Sequence, residues 1–419
     1  MNTQKLTNKA IKLFEDGKFD KVIELVDAVS INDISPNLIN VKALSYKNKN
    51  DFTSAINIYK EALNSEEHPV YFGNLGNIYK ATGRVNDAIA LYRDAIARNP
   101  NEYNFHESLG LSYMDTGELK EAQSCFEKCL ELQPDRESAT YLLGSVYRKQ
   151  SQWREAISYL KKCSINKAKS HMLECMYYLN EMETFESALE EIPEDELITP
   201  LAGCVAAHAS WRFDRVYRNY FCKKPMDAVG VSNIRESEGL TEELIQKIIQ
   251  LYDEGNLDDL HQPLLKGGKQ SAGNIFLLDL PEIKAIKSVI ENKIASYRSK
   301  LANRNEGFID HWPESYHLYG WLVSMTSGGH LDPHIHKEGW VSGSLYLEVP
   351  SNTQGKEAAI SFSLHGANYP SDSTDFPEKF VEVSKRKICM FPSSLFHKTT
   401  EFKSKGRRVT LAFDVIPAA

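Results

Sequence analysis

A 34-residue periodicity in the first half of the chain constrains its fold more than any other feature. Leu75, Gly76, Tyr79, Ala88, Tyr92, Ala95 and Pro100 return 34 residues later as Leu109, Gly110, Tyr113, Ala122, Phe126, Cys129 and Pro134. One further step gives Leu143, Gly144, Tyr147, Ala156, Leu160 and Cys163. A unit of this length cannot bury its apolar face alone, so successive copies must stack into an array. Gly and Ala sit where two helices of one unit cross closely, the aromatic fills the gap to the next unit, and Pro ends the second helix. Upstream, Ala55, Tyr59 and Ala62 continue the pattern with a one-residue slip, and residues 10–28 read as a degenerate first copy. Downstream, His171 to Ile192 is a poorer copy and Ala202 to Tyr220 a closing helix, which makes about five helical hairpins.

This period and residue pattern resemble the tetratricopeptide repeat. The resemblance implies an all-α solenoid over residues 1–220, with a groove that receives a protein or peptide partner. The alternative reading is an array that dimerises the chain or spaces its parts.

Composition narrows the remaining classes. A net charge of −8 is the wrong sign for a general nucleic-acid grip, so no nucleic-acid partner is expected. No run of 18 apolar residues is present, and no membrane span is expected. The opening MNTQKLTNKAIKLFEDGKFDK is charged and amphipathic and does not read as a secretory signal. The seven cysteines include no C-x-x-C pair, which suits a reducing, cytoplasmic compartment.

After Tyr220 the 34-residue pattern stops, and residues 221–235 read as a linker. Helical patterns follow at Thr241 to Glu254, with Thr241 as N-cap, and at Pro281 to Leu301. From Ser315 the pattern becomes alternating and β-rich: YHLYGWLVSM, GWVSGSLYLEV, AAISFSL, KFVEVS, KICMFPS and RRVTLAFDVI. Residues 236–419 therefore read as an α+β domain with an all-β core, able to hold a small ligand in its mouth.

Five of the 12 histidines lie between Gly329 and Thr400. His334 and His336 form a His-x-His pair whose rings share one face of a strand. With the distant His397 they make a facial metal triad with open positions opposite, open to iron, zinc or copper. Arg408 follows His397 by 11 residues, and Thr410 shares its strand face, so the two make a carboxylate clamp. A metal site beside such a clamp is what a chelated 2-oxo acid requires. The competing pair is His330 with Asp332, which Pro333 would disturb. His365 reads as a surface residue, Tyr319 and Trp321 as wall residues, and Lys269 as a solvated loop lysine. Tyr346 has core packing as its default, with a hydrogen bond to the cosubstrate as the functional option. A cupin-type metal site also uses His-x-His and a later His, but the glutamate it needs after the pair is missing, and it leaves Arg408 and Thr410 unexplained.

The blocks GGHLDPHIHKEGWVSGSLYLEVP and FPSSLFHKTTEFKSKGRRVTLAFDVIP resemble the 2-oxoglutarate/Fe(II) oxygenases often fused to tetratricopeptide repeats, relatives of the prolyl 4-hydroxylases. HQPLLKGGKQSAGNIF, from His261, resembles a segment that precedes the barrel in that group. The resemblance implies a double-stranded β-helix (jelly-roll) core. It also implies Fe(II), 2-oxoglutarate and O2 as cofactor and cosubstrates, and a hydroxylation of a C–H bond. Carried over by position, His334 and His397 are metal ligands, Arg408 anchors 2-oxoglutarate and Thr410 assists it. His336 takes the place where most of the superfamily has Asp or Glu. A barrel that has lost its activity beside a scaffold of repeats is the remaining alternative.

Overall fold

The computed structural model describes every residue except 1–2, 30–33, 66–67, 256, 258, 261, 352, 354, 373 and 419, and the side chain at 166. His261, at the head of one segment singled out above, thus lies outside the described residues, as does the last residue of the chain. The chain divides into two compact units, Met1–Ala139 with Leu277–Asp279, and Thr140–Phe276 with Leu280–Ala419.

The first unit is a series of antiparallel helix pairs: α1 (Thr3–Glu15) with α2 (Phe19–Asp27), α3 (Pro36–Asn48) with α4 (Phe52–Ser65), α5 (Pro69–Ala81) with α6 (Val85–Arg98), and α7 (Tyr103–Thr116) with α8 (Leu119–Leu132). The periodic residues explain the pairing. A Cβ on Gly76 would collide with the Tyr92 ring, and one on Gly110 would collide with Phe126. Only glycine lets the second helix lay its aromatic flat on the first. Pro69 opens α5 at a position where its missing N–H costs nothing. Gly117 closes α7 in the left-handed conformation, φ 83°.

The second unit opens with the rest of α9 (Glu137–Lys149), then α10 (Trp153–Leu160), α11 (Asn166–Tyr178), α12 (Met182–Glu191), α13 (Glu194–Leu197) and α14 (Pro200–Arg212). Among the described residues the hairpins thus number six, α1/α2 through α11/α12, where the sequence suggested about five. The closing helix is α14, shorter than expected. These helices do not stand apart from the β-rich segment. Leu173, Tyr177, Phe185, Leu201 and Val205 share one core cluster with Tyr369 and Phe396. Periodicity reports that a helix has an apolar face, and is silent on whether a repeat or a sheet covers it.

Residues 221–235, read as a linker, are built into the unit. Phe221 and Cys222 are fully buried, and β1 (Gly230–Asn233) pairs with an edge of the sheet. Next come α15 (Glu242–Asp253), capped by the Thr241 hydroxyl on Leu244 N–H at 3.2 Å, and β2 (Asp259–Leu260) paired with β3 (Leu265–Ser271). Then follow α16 (Pro281–Leu301) and the single turn α17 (Gly307–Asp310). The remaining strands are β4 (Tyr316–His334), β5 (Val341–Glu348), β6 (Ile360–Ser363), β7 (Glu378–Val381), β8 (Lys387–Pro392), β9 (Phe396–Thr399) and β10 (Arg408–Pro417). They run in the order β1-β8-β5-β10-β4-β9-β6-β7, all antiparallel. The result is an α+β unit with a double-stranded β-helix core, and an all-α solenoid precedes it.

The 19-residue β4 joins the two halves of the roll. Its first part pairs with β10, and its end pairs with β9. Between them the chain turns at Gly328, φ 85°, and Gly329, where a Cβ would press on the Thr326 carbonyl. The register shifts between Leu331 and His334, an irregularity of the kind that re-aims a side chain. No helix among the described residues is long and apolar enough to cross a membrane.

Candidate metal centre and anion clamp

Three imidazoles converge at the end of β4. His334 closes that strand and lies opposite His397 of β9. His336 stands in the coil beyond the strand, not on it as the alternating pattern suggested, and its backbone N–H donates to Ser393 O at 3.3 Å. The ring centroids lie 5.1 Å (His334–His336), 4.3 Å (His334–His397) and 4.9 Å (His336–His397) apart. One nitrogen from each ring lies within 4.8 Å of the others.

Each Nδ1 is turned outward to an acceptor. His334 Nδ1 donates to the Asp332 carbonyl at 2.8 Å, and His397 Nδ1 to the Leu395 carbonyl at 3.3 Å. A carbonyl can only accept, so those nitrogens carry the proton and leave Nε2 as a free lone pair. His336 Nδ1 meets Asp414 Oδ1 at 2.7 Å. Burial pulls the His334 pKa down to about 4, and burial with the neighbouring imidazoles holds His397 well below its ordinary value. Both are therefore neutral near pH 7, the form a metal ligand must have.

His330 and Asp332 lie elsewhere. Both side chains are more than a third exposed, 3.8 Å from one another, and Asp332 borders a neighbouring cleft. Among the described residues only His334, His336 and His397 form a metal-sized group of three.

The imidazoles open on a cavity of about 600 Å³ whose wall includes alternate residues of β10: Arg408, Thr410, Ala412, Asp414 and Ile416. Period two thus places a cation and a hydroxyl at one end of a strand and a carboxylate near the other, with a small alanine between. Arg408 is 3% exposed. Its Nη1 donates to the Ala358 carbonyl at 2.9 Å, its Nε lies 3.4 Å from Thr410 Oγ1, and its Cζ sits 4.9 Å over the Tyr346 ring. Among the described residues no carboxylate pairs with this guanidinium, and burial pulls its pKa below the ordinary arginine value. A buried cation that rests on carbonyls and a π face has the charge and free donors to receive an anion.

Tyr346 is wholly buried, with the Arg408 guanidinium 4.9 Å over its ring. That position places its ring under the guanidinium. Trp321 and Tyr319 do line the cavity, with Trp321 5.5 Å from the His336 ring. His365, expected at the surface, is half-buried, 3.0 Å from His208 Nε2 and stacked on Phe376. Lys269 lies on β3 and pairs with Asp259 at 2.7 Å.

Asp414 escaped the sequence reading. Besides His336 it accepts from Ser342 Oγ at 2.7 Å, and Ser342 in turn lies 2.7 Å from Ser393 Oγ. Its one signal was position, since it continues the alternation that starts at Arg408. A second missed group lies behind the loop that carries His336. Glu174 of α11, 2% exposed, meets Arg148 Nη1 at 2.6 Å, Lys337 Nζ at 2.7 Å and Tyr369 Oη at 2.8 Å. The adjacent cations hold its carboxyl at about 2 against the cost of complete burial.

Comparison with known proteins agrees with this geometry. Residues 319–414 match the family described as "Putative 2OG-Fe(II) oxygenase", a span that contains His334, His336, Tyr346, His397, Arg408, Thr410 and Asp414. Residues 40–103 match "Tetratricopeptide repeat", and residues 81–163 and 115–192 match "Anaphase-promoting complex, cyclosome, subunit 3". Among solved structures, "Functional Characterization of Pseudomonas Aeruginosa pilF" is 16% identical with a TM-score of 0.39, over 45% of this chain and 90% of that one. "Crystal structure of MamA" is 23% identical with a TM-score of 0.32, over 35% and 92%. "MamA 41-end from Desulfovibrio magneticus RS-1" is 15% identical with a TM-score of 0.34, over 38% and 92%. No curated protein matches the chain. The chain therefore joins tetratricopeptide-type repeats to a segment that matches a 2-oxoglutarate/Fe(II) oxygenase family.

Proposed function

We propose that the chain is an Fe(II)- and 2-oxoglutarate-dependent hydroxylase with a repeat array for a protein or peptide partner. The observation that carries the reading is that three converging imidazoles and a buried guanidinium, with no carboxylate partner among the described residues, face one cavity of about 600 Å³. The donor set fits the metal, because one nitrogen from each of the three rings lies within 4.8 Å of the others beside an open cavity that would admit a 2-oxo acid and O2. When bound there, iron with 2-oxoglutarate and O2 supplies the oxidative decarboxylation to succinate that hydroxylates a C–H bond.

The chain's own residues set the geometry. His334, His336 and His397 would hold the ion. Arg408 and Thr410 take the far carboxylate of the cosubstrate, the guanidinium by charge and the hydroxyl by one hydrogen bond, and so fix its direction. The Tyr346 ring holds Arg408 from below. Val323, Leu331, Ile360 and Phe391 keep that end of the cavity apolar, which strengthens each polar contact inside it. The site lies within the second unit, while the repeats of the first unit offer the stacked helices on which partners dock. Seven free cysteines, six of them buried, suit a cytoplasmic setting.

Anaerobic titration of the full chain with Fe(II) and then 2-oxoglutarate tests the reading. A weak visible charge-transfer band should appear and saturate at one equivalent of each. A well-folded sample that binds Fe(II) but develops no band with 2-oxoglutarate would overturn it.

A further inference from the structure

The superfamily resemblance leads one to expect a carboxylate as the second metal ligand, and this chain presents His336 instead. The missing negative charge has not gone far. Asp414, 8% exposed, lies directly behind the imidazole, its Oδ1 2.7 Å from His336 Nδ1. Ser342 Oγ donates to the same oxygen at 2.7 Å and stands 3.1 Å from His336 Nδ1. Ser393 Oγ, 2.7 Å from Ser342 Oγ, completes the network as donor to that hydroxyl.

The loop is shaped to allow this contact. A Cβ on Gly339 would stand 3.0 Å from Asp414 Cγ and 2.8 Å from Ser393 Oγ, so any larger residue would push the His336 loop off the carboxylate. The three partners come from three separate stretches: His336 from the loop after β4, Ser342 from β5 and Asp414 from β10. His334 and His397 are each oriented by the neutral carbonyl two residues earlier in the chain, and His336 alone by an acid.

We propose that Asp414 is the positioning residue of this metal centre. It fixes His336 in the tautomer that turns Nε2 to the ion, and it returns one imidazole ring further out the negative charge that a carboxylate ligand would have carried. The inference rests on the metal-centre reading above. A carboxylate on the outer nitrogen of a ligating imidazole raises its basicity and locks its ring, and losing such a partner typically weakens metal binding about 10- to 100-fold. Asp414 has the same relation to His336, with Ser342 there to hold the carboxylate still.

Fe(II) affinity of the full chain, measured anaerobically without 2-oxoglutarate, tests this on Asp414→Asn, Ser342→Ala and His336→Ala. Asp414→Asn keeps the shape and removes the charge. It should weaken Fe(II) binding about 10- to 100-fold and shift the ligand-field bands of the Co(II)-loaded protein, with far-UV circular dichroism unchanged. Ser342→Ala should give a smaller loss in the same direction, and stands in as the readout if Asp414→Asn does not fold. Wild-type affinity and unshifted Co(II) bands in Asp414→Asn would overturn the proposal, as would wild-type affinity in a folded Ser342→Ala protein when Asp414→Asn cannot be made. Failure of the metal-centre reading itself looks different: His336→Ala would then bind Fe(II) as tightly as the wild type, or the wild type would bind none.

Discussion

Glu174→Gln is the substitution most expected to couple the helices of the second unit to the metal centre. The carboxylate is fully buried and serves two cations, Arg148 and Lys337, with the Tyr369 hydroxyl as a third partner. Burial alone would raise its pKa, yet the two cations hold it at about 2 against an ordinary 4.5. A native pKa below the unfolded one means stability that is present above the unfolded value and lost as pH falls through the native one. The difference of about 2.5 units corresponds to about 3 kcal/mol, which should disappear between about pH 5 and pH 2. Breaking a buried pair by neutralising one partner typically costs 3–5 kcal/mol, because the opposite charge is left uncompensated. Lys337 keeps 30% of its side-chain exposure, so the lower figure applies. At about 2–4 °C per kcal/mol for a unit of this size, Glu174→Gln should lower the melting temperature by about 6–12 °C at pH 7, and by almost nothing at pH 2. Because Lys337 follows His336 directly, Fe(II) affinity should fall as well. The assay is a calorimetric melt of wild type and variant from pH 2 to pH 8, with Fe(II) affinity alongside. A variant that melts within 1 °C of the wild type at pH 7 would refute the view that this charge clamps the His336 loop.

Other consequences can be checked with simpler measurements. Arg408→Ala should weaken 2-oxoglutarate binding about 100-fold, the typical loss of a charge-assisted pair of about 2–3 kcal/mol, while iron content by emission spectroscopy stays near the wild-type value. Equal loss of both would make the arginine structural. His336→Ala should bind little iron and Asp332→Ala should bind the normal amount, and the reverse result would move the second ligand to the His330/Asp332 pair. A fragment from 140 to 419 should give a cooperative melt, whereas one from 236 to 419 should not. The shorter piece loses β1 and helices α11–α14, and so uncovers Tyr369 and Phe396. A cooperative melt for 236–419 would show that the β-rich segment needs neither β1 nor the helices before it.

What could be read from the chain beforehand follows from how far each signal travels along it. Gly76, Gly110 and Gly144 recur because each must lie under a bulky residue 16 positions later, Tyr92, Phe126 or Leu160, and that local rule repeats. His334, His397, Arg408 and Thr410 were legible because strand alternation and short spacings bring them together within two sequence blocks. Asp414 was not, since its partner His336 lies 78 residues away and pairing across β10 and β5 is needed to join them. Glu174 was harder still. It sits in a helix whose repeat pattern had decayed, and a lone acid on an amphipathic helix ordinarily faces water. The decay itself carried information. Helices α11 to α14 departed from the 34-residue pattern where their apolar faces turned from neighbouring hairpins to Tyr369 and Phe396 of the β-rich segment. A repeat that loses its consensus just before a domain junction is therefore better read as surface committed to a new neighbour than as weakened structure. Here that commitment places Arg148 and Glu174 against Lys337, one residue from His336.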